Sequence, residues 1–502
     1  MSEKAYEWLK KHSIETAYLL STAEVLAWDQ RTYMPKKGKD HRAEQMVFLT
    51  KMLHERSTDE RIGENLALVE GGEMVADPLC PAAVNVREWR RDFDKSIKIP
   101  RRLAVDLARA TSLGESMWQR ARPENNWDAL APSIADIVDL VVEQADAIGY
   151  AQEPYDALIG EYEPGETASS LEKVFGDLKP ALVSLLDSIR ETGIAPDTSV
   201  LHGLFPVDSQ VRFCRHIVSM VGYDLDAGRI DVSAHPFSIG IGPGDVRITT
   251  RYQEKFFNAS VFGSLHEAGH GMYEQGLPEE HWGTPRGKYA SLGIHESQSR
   301  FWENMVGRSR GFWRHAYDRA RSEFPALNDV PIGKFLLGIN AVKPSLIRVE
   351  ADEITYNLHI MVRFELELGL LRREIAAADL PDAWNEKMKS YLGVDVPDAS
   401  SGVMQDVHWP SGLIGYFPTY TLGNLFAAQL FHKAQEELGD LEERFAAGEF
   451  APLLKWLREK VHEPGATYSP RDMITRATGS ALDPTFFIEY AKKKYGELYG
   501  FA

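Results

Sequence analysis

The sequence predicts a mainly α-helical protein with one small β insert, and three observations lead there. Apolar residues recur at helical spacing over several long stretches. Proline and glycine punctuate the chain between them. A single stretch, near residues 229–253, breaks into short β-prone runs instead. Taken in order, residues 3–29 carry Tyr6, Leu9, Ile14, Tyr18, Val25 and Trp28 on one face, and residues 101–121 and 127–149 repeat the pattern. Residues 167–192 follow with Leu171, Val174, Phe175, Leu178, Leu182 and Leu186, and then come 353–376 and 421–439. The punctuating residues are Pro35, Pro81, Pro100, Pro132, Gly165, Pro381, Pro397 and Pro452. Such stripes are packing faces between helices rather than cofactor boxes. The exceptional stretch reads RIDVSAHPFSIGIGPGDVRITTRYQ. Ile239 and Ile241, then Val246, Ile248 and Thr250, are divided by Gly-Pro-Gly, which predicts a hairpin or a two- to three-stranded sheet. No repeat and no long linker interrupts the chain, so one large helical domain over residues 1–502 is expected.

Composition narrows the function classes. The 502 residues are 44% hydrophobic and 26% charged, which excludes fibrous and disordered classes. With 56 Lys and Arg against 74 Asp and Glu, the formal net charge is −18. That surplus repels phosphate backbones and argues against a nucleic-acid partner. Two cysteines, Cys80 and Cys214, make neither a disulfide framework nor a four-cysteine metal site, and they suit a reducing compartment. The opening residues have no apolar core of a signal peptide, and no run of 18 apolar residues occurs. A cytoplasmic protein without a membrane partner is expected.

The chemistry centres on His266-Glu267-Ala268-Gly269-His270. On a helix, residues four apart share a face, so His266 and His270 can bind one Zn²⁺ together. Glu267 beside them can act as general base on a metal-bound water. Glu274 continues the stripe, but it lies about 12 Å along the axis from His266, too far to close a tetrahedral site. The third ligand must come from another segment. The longer metalloprotease pattern would need Gly at 273 and His at 276; Tyr273 and Gly276 exclude it. A downstream helix over KYASLGIHESQSRFWENM offers Glu296, 26 residues after His270, as the natural third ligand. His281 and His295 are expected to be supporting or structural imidazoles. Glu279 and Glu280 read as solvated charges.

Six separated motifs extend the pattern. The first three are His235-Pro236-Phe237, Asp245-Val246-Arg247-Ile248-Thr249 and the HEAGH run. His295-Glu296-Ser297-Gln298 follows, then Ile347-Arg348-Val349-Glu350-Ala351-Asp352 and Gly402-Val403-Met404-Gln405-Asp406-Val407-His408-Trp409. With these, in this order, the chain resembles the M32 family of metallocarboxypeptidases, the thermostable carboxypeptidase type. The resemblance implies a mainly helical fold with a deep substrate groove and a divalent metal at its floor. N-terminal helices, to about residue 225, would cover that groove, and the catalytic part would run from about 226. It further implies a homodimer that releases single C-terminal amino acids from peptides. Zn²⁺ is the first choice of metal and Co²⁺ the alternative, since two His and one Glu suit both.

Within that reading, His266, His270 and Glu296 hold the metal, and Glu267 moves the proton from water to the leaving amine. An oxyanion needs donors, and His408 and Tyr420 are the candidates, with Tyr416 competing across the same Phe-Pro turn. An exopeptidase also needs a cation for the substrate's terminal carboxylate. Arg348 is the first candidate, because guanidinium binds carboxylate bidentately, and Arg247 is the second. A structural ion pair with Glu350, Asp352 or another acid is the competing role for Arg348. His235 and Gln405 are candidate contacts to substrate backbone, and Asp352 and Asp406 are candidates for orienting imidazoles. Two rival functions remain: a metallo-oligopeptidase cutting internally, and a non-catalytic helical scaffold. An intact Glu267 argues against the second.

Overall fold

A computed structural model describes residues Met1–Phe501. Helices dominate, and the β region, Gly228–Thr250, coincides with the predicted insert to within one residue at its start and three at its end. The chain divides into two compact units made of interleaved segments. The first comprises Met1–Ile97, Pro196–Ile339 and Ala427–Ala481. The second comprises Lys98–Ala195, Asn340–Phe426 and the chain from Leu482 onward. The division near residue 225 implied by the resemblance therefore lies within the first unit.

In the first unit, the helix Ser2–Thr32 buries Ala5 and Leu9. They join a cluster with Ile62, Leu66 and Val69 of the helix Glu60–Val69 and with Val86 and Phe93 of the helix Pro81–Lys98. Asp59 caps the second of these helices by accepting the Arg61 N–H. The insert forms β1 (Gly228–Val232), β2 (Ser238–Gly242) and β3 (Asp245–Thr250), in the order β1-β3-β2. β3 runs parallel to β1, with Ile230 opposite Ile248, and antiparallel to β2, with Ile239 opposite Arg247. Gly244, at φ +74°, turns β2 into β3, as the Gly-Pro-Gly punctuation requires. Val246 and Ile248 are buried where β3 packs on the helix Asn258–Glu274. The sheet is thus a platform under the helix that carries HEAGH.

The second unit is all helical among the described residues. At its centre the helix Thr355–Leu371 is buried on nearly every side, as expected of a helix surrounded by others. Three of its polar residues, His359, Arg363 and Glu367, are four apart and so share one face. Glu367 accepts from the Tyr155 hydroxyl (2.9 Å), the Trp409 indole (2.9 Å) and the Gly415 N–H (3.1 Å). Arg363 binds Asp406. This polar stripe therefore ties down the loop that contains Asp406, His408 and Trp409.

Prolines stand at helix starts as their missing N–H dictates: Pro100 at a cap, and Pro381 and Pro452 in first turns. Pro132 is a correction. It lies inside the helix Trp127–Ile148 rather than between elements. The loss there is a single backbone bond near a well-capped start, where Asn126 accepts from Ala129. Among the described residues no helix is long and apolar enough to cross a membrane.

Candidate metal centre

Two helices build the centre. The helix Asn258–Glu274 carries His266, Glu267 and His270, and the helix Leu292–Arg300 carries Glu296. Ser291 caps the second by accepting the Ile294 N–H, which fixes its start. The crossing depends on Gly269. A Cβ at that position would lie 2.5 Å from the Gln298 carbonyl oxygen and 2.7 Å from Ser299 Cα. The glycine inside HEAGH therefore lets backbone touch backbone and brings Glu296 onto the histidines.

Glu296 Oε2 lies 3.4 Å from His270 Nε2 and 3.7 Å from His266 Nε2. Ligands at about 2.0–2.2 Å from a tetrahedral ion stand about 3.3–3.6 Å apart, so the spacing suits one small cation. All three donor atoms lie within 4.8 Å of one another. The donor set of two imidazoles and a carboxylate is that of hydrolytic zinc sites with an open position. The arrangement fits a divalent metal.

The surroundings tune each ligand. His266 turns its Nδ1 to Glu303 Oε2 at 2.9 Å. Glu303 lies in the π-helical turn Phe301–Val306, seven residues beyond Glu296, and is held by Arg308 (3.1 Å) and Arg300 (3.5 Å). Arg300 also donates to Glu296 Oε1 at 2.6 Å, and Ser299 donates to Glu296 Oε2 at 3.0 Å. Burial opposes charge on Glu296, but Arg300 and the imidazoles hold its carboxyl well below the usual range. Burial likewise opposes charge on His266, but Glu296 and Glu303 outweigh it and raise the imidazole above its ordinary value. Burial, helped by His295, pushes His270 down to about 3, which leaves it neutral. Glu267 is 6% exposed. Burial pushes its carboxyl up to about 7. That is the range in which a carboxylate can both take and return a proton at neutral pH.

The β insert gathers two more of the expected residues. Arg247 is paired in a fork with Asp245, both contacts 2.7 Å, and stacks on Trp28 at 4.3 Å. Thr249 accepts from the Phe237 N–H at 2.9 Å and shares a 2.7 Å hydrogen bond with Ser233. This stitches the His-Pro-Phe turn to β3 and leaves the His235 side chain exposed.

In the second unit Arg348, Gln405, Asp406, His408 and Tyr420 come together. Arg348 donates to Asp406 Oδ1 through NH2 (2.7 Å) and Nε (3.1 Å), and to the Tyr356 hydroxyl at 2.8 Å. Arg363 donates to the other oxygen of Asp406 at 2.7 Å. Coulombic attraction and hydrogen bonding outweigh burial and raise Arg348 further above its ordinary value. His408 lies against the Phe417 ring at 4.4 Å, with its Nε2 3.4 Å from the Tyr420 hydroxyl. Burial and the two arginines push His408 down to about 4, so it is neutral near pH 7.

Two further expected residues are engaged in local hydrogen bonds. Asp352 accepts from the Ile354 and Thr355 N–H groups, the Thr355 hydroxyl and the Lys343 N–H, and so braces the start of the helix Thr355–Leu371. Gln405 spends its amide on the carbonyls of Leu346, Ser401 and Gly402 and accepts from the Arg348 N–H. It braces the Arg348 backbone instead of offering a free donor. Glu303, Arg300 and Arg363 were not singled out from sequence. The one usable signal was that Glu303 follows Glu296 by two helical turns.

Residues 8–495 match the model of the family described as carboxypeptidase Taq (M32) metallopeptidase. Thermostable carboxypeptidase 1 of Thermus thermophilus is 55% identical, over 99% of both chains. Carboxypeptidase 1 of Bacillus subtilis is 38% identical over 95% of both. The crystal structure of the M32 carboxypeptidase from Deinococcus radiodurans superposes with a TM-score of 0.96 at 38% identity, covering 99% of this chain and 100% of that one. On these grounds the chain belongs to the carboxypeptidase Taq (M32) family of metallopeptidases.

Proposed function

We propose that Glu267 draws the proton from the attacking water and hands it to the leaving amine. Membership of the family makes the chain a metal-dependent carboxypeptidase, a hydrolase acting on peptide bonds. The observation that carries the proposal is the convergence of His266, His270 and Glu296 on one position, with the buried Glu267 next to His266 on the same helix. Those three residues would hold the cation, with Zn²⁺ the first choice and Co²⁺ the alternative. Once bound, the cation would polarise the scissile carbonyl and lower the pKa of water. The substrate is a peptide with a free C-terminal carboxylate, and single amino acids are released.

Arg348 receives that carboxylate in this reading. Two guanidiniums share one Asp406, so the cluster keeps an excess positive charge for an incoming anion. Arg247 is the weaker candidate because it pairs one-to-one with Asp245, which leaves no excess positive charge in that pair. His408, kept neutral, and the Tyr420 hydroxyl supply donors to the oxyanion; Tyr416, whose ring centre lies 5.5 Å from that of His408, is the alternative. Exposed His235 contacts peptide backbone. The protein acts in the cytoplasm as a homodimer, with no nucleic-acid or membrane partner; both cysteines are free thiols, which supports a reducing compartment.

The test is a time course of amino acids freed from an unblocked peptide and from its C-terminal amide, with and without chelator. Sequential release from the free peptide only, abolished by chelator and restored by Zn²⁺ or Co²⁺, is expected. Equal cleavage of the amide would favour internal cutting, and full turnover without metal would overturn the proposal.

A further inference from the structure

Glu274 cannot reach the metal position with His266, yet its carboxylate points into the same cluster. Between it and His270 stands His295. His270 Nδ1 and His295 Nδ1 are 2.6 Å apart, and His295 Nε2 is 2.9 Å from Glu274 Oε1. Only one assignment of hydrogens satisfies this chain while His270 Nε2 keeps its lone pair free for the metal. His270 Nδ1–H donates to His295 Nδ1, and His295 Nε2–H donates to Glu274. The neighbours keep the middle ring in place. Tyr289 meets His295 edge-on at 4.9 Å, and Tyr273 lies 5.3 Å away. The far end is seated on the sheet: a Cβ at Gly240 of β2 would stand 2.8 Å from Glu274 Oε2.

We infer that His295 and Glu274 are positioning residues that fix the donor tautomer of His270 and strengthen it as a ligand through a two-step hydrogen-bond relay. The inference rests on the metal reading of His266, His270 and Glu296. His266 has its carboxylate, Glu303, in direct contact; His270 reaches its own only through a second imidazole. The relay thus gives the second histidine the support that metal-bound imidazoles generally need from a carboxylate or carbonyl. It also accounts for an acid on the ligand stripe that spacing excludes from the ion itself. Glu274 anchors His295, and His295 in turn holds the ring of His270 at the angle from which its Nε2 faces Glu296.

The test uses the full-length protein as Glu274→Ala and Glu274→Gln. Zinc affinity is read by competition with a chromophoric chelator, and geometry by the visible spectrum of the Co²⁺-loaded protein. Glu274→Ala should lose about 10–100-fold in zinc affinity and shift the cobalt bands. Glu274→Gln should lose less, because its amide oxygen still accepts from His295. The melting temperature of the metal-free variants should stay within about 2 °C of wild type, as a role confined to the ligand requires. A Glu274→Ala protein with wild-type zinc affinity and an unchanged cobalt spectrum overturns the relay. So does a loss of affinity matched by an equal collapse of the metal-free fold in both variants. If the alanine variant does not fold, Glu274→Gln decides: weakened zinc binding supports the relay and wild-type binding overturns it. Wild-type protein that takes up no zinc would instead sink the metal reading, a separate failure.

Discussion

Replacing Gly269 with alanine adds one methyl group at the point where the two ligand-bearing helices touch. That Cβ would meet the Gln298 carbonyl oxygen at 2.5 Å, Ser299 Cα at 2.7 Å and the Gln298 carbonyl carbon at 2.9 Å. Ordinary contact begins at about 3.5 Å, so the helices must part by about 1 Å. All three obstacles are backbone atoms, and no side chain can swing away to absorb the change. Overpacking of this kind costs about 1–3 kcal/mol. The more sensitive quantity is metal affinity, because ligand distances tolerate only about 0.2 Å. Glu296 rides on the displaced helix, so its withdrawal should cost more than the roughly 100-fold seen when an outer support is lost. Zinc affinity measured by chelator competition would register this, alongside kcat on a free peptide. A Gly269→Ala protein that binds zinc as tightly as wild type would refute the claim that this contact sets the site.

Three further outcomes are expected. Glu267→Gln should keep its metal but lose about 10²–10⁴-fold in kcat, as removal of a general base does; a near-normal kcat would take Glu267 out of that role. Arg348→Lys keeps a charge but not the fork, so KM should rise for free-carboxylate peptides with little change for any residual action on amides; equal losses on both would make Arg348 purely structural. Acidification should destabilise the second unit. His408 titrates near 4 when folded against 6.5 unfolded, so between these values the unfolded chain binds the extra proton and stability falls as pH drops, by up to about 3 kcal/mol. Asp406, held low by its arginines, adds stability that is present above its ordinary value of 3.8 and lost below it. Urea unfolding followed from pH 7 to pH 4 checks the sign; a flat profile, or one unchanged in His408→Gln, would contradict it.

Helices with strong apolar periodicity were legible in the sequence, and so was the sheet, because turn residues bracket its short runs. The grouping of His266, His270 and Glu296 was legible for a similar reason: i, i+4 spacing is a local property, and Glu296 was the acid on the next helix. Partnerships made across the fold were not. Arg348 could have paired with Glu350 or Asp352 beside it, yet it pairs with Asp406, 58 residues away. Asp352 is consumed by the helix start three residues on, a use that competes with any more distant one. Glu303 reaches His266 through a π-helical turn, a change of pitch that no periodicity in the sequence announces. Pro132 looked like a stop, but a helix with a good cap and a buried face absorbs one lost bond.

The face of Arg363 and Glu367 on the central helix has one further consequence. A chain segment that would otherwise be a wandering surface loop is fastened at Asp406, Trp409 and Gly415 to the most solvent-sheltered helix of its unit. The His408 imidazole between those anchors therefore arrives already immobilised. An incoming ligand that meets it spends none of its affinity on freezing the loop, and His408 can work loose only by melting the surrounding core along with it.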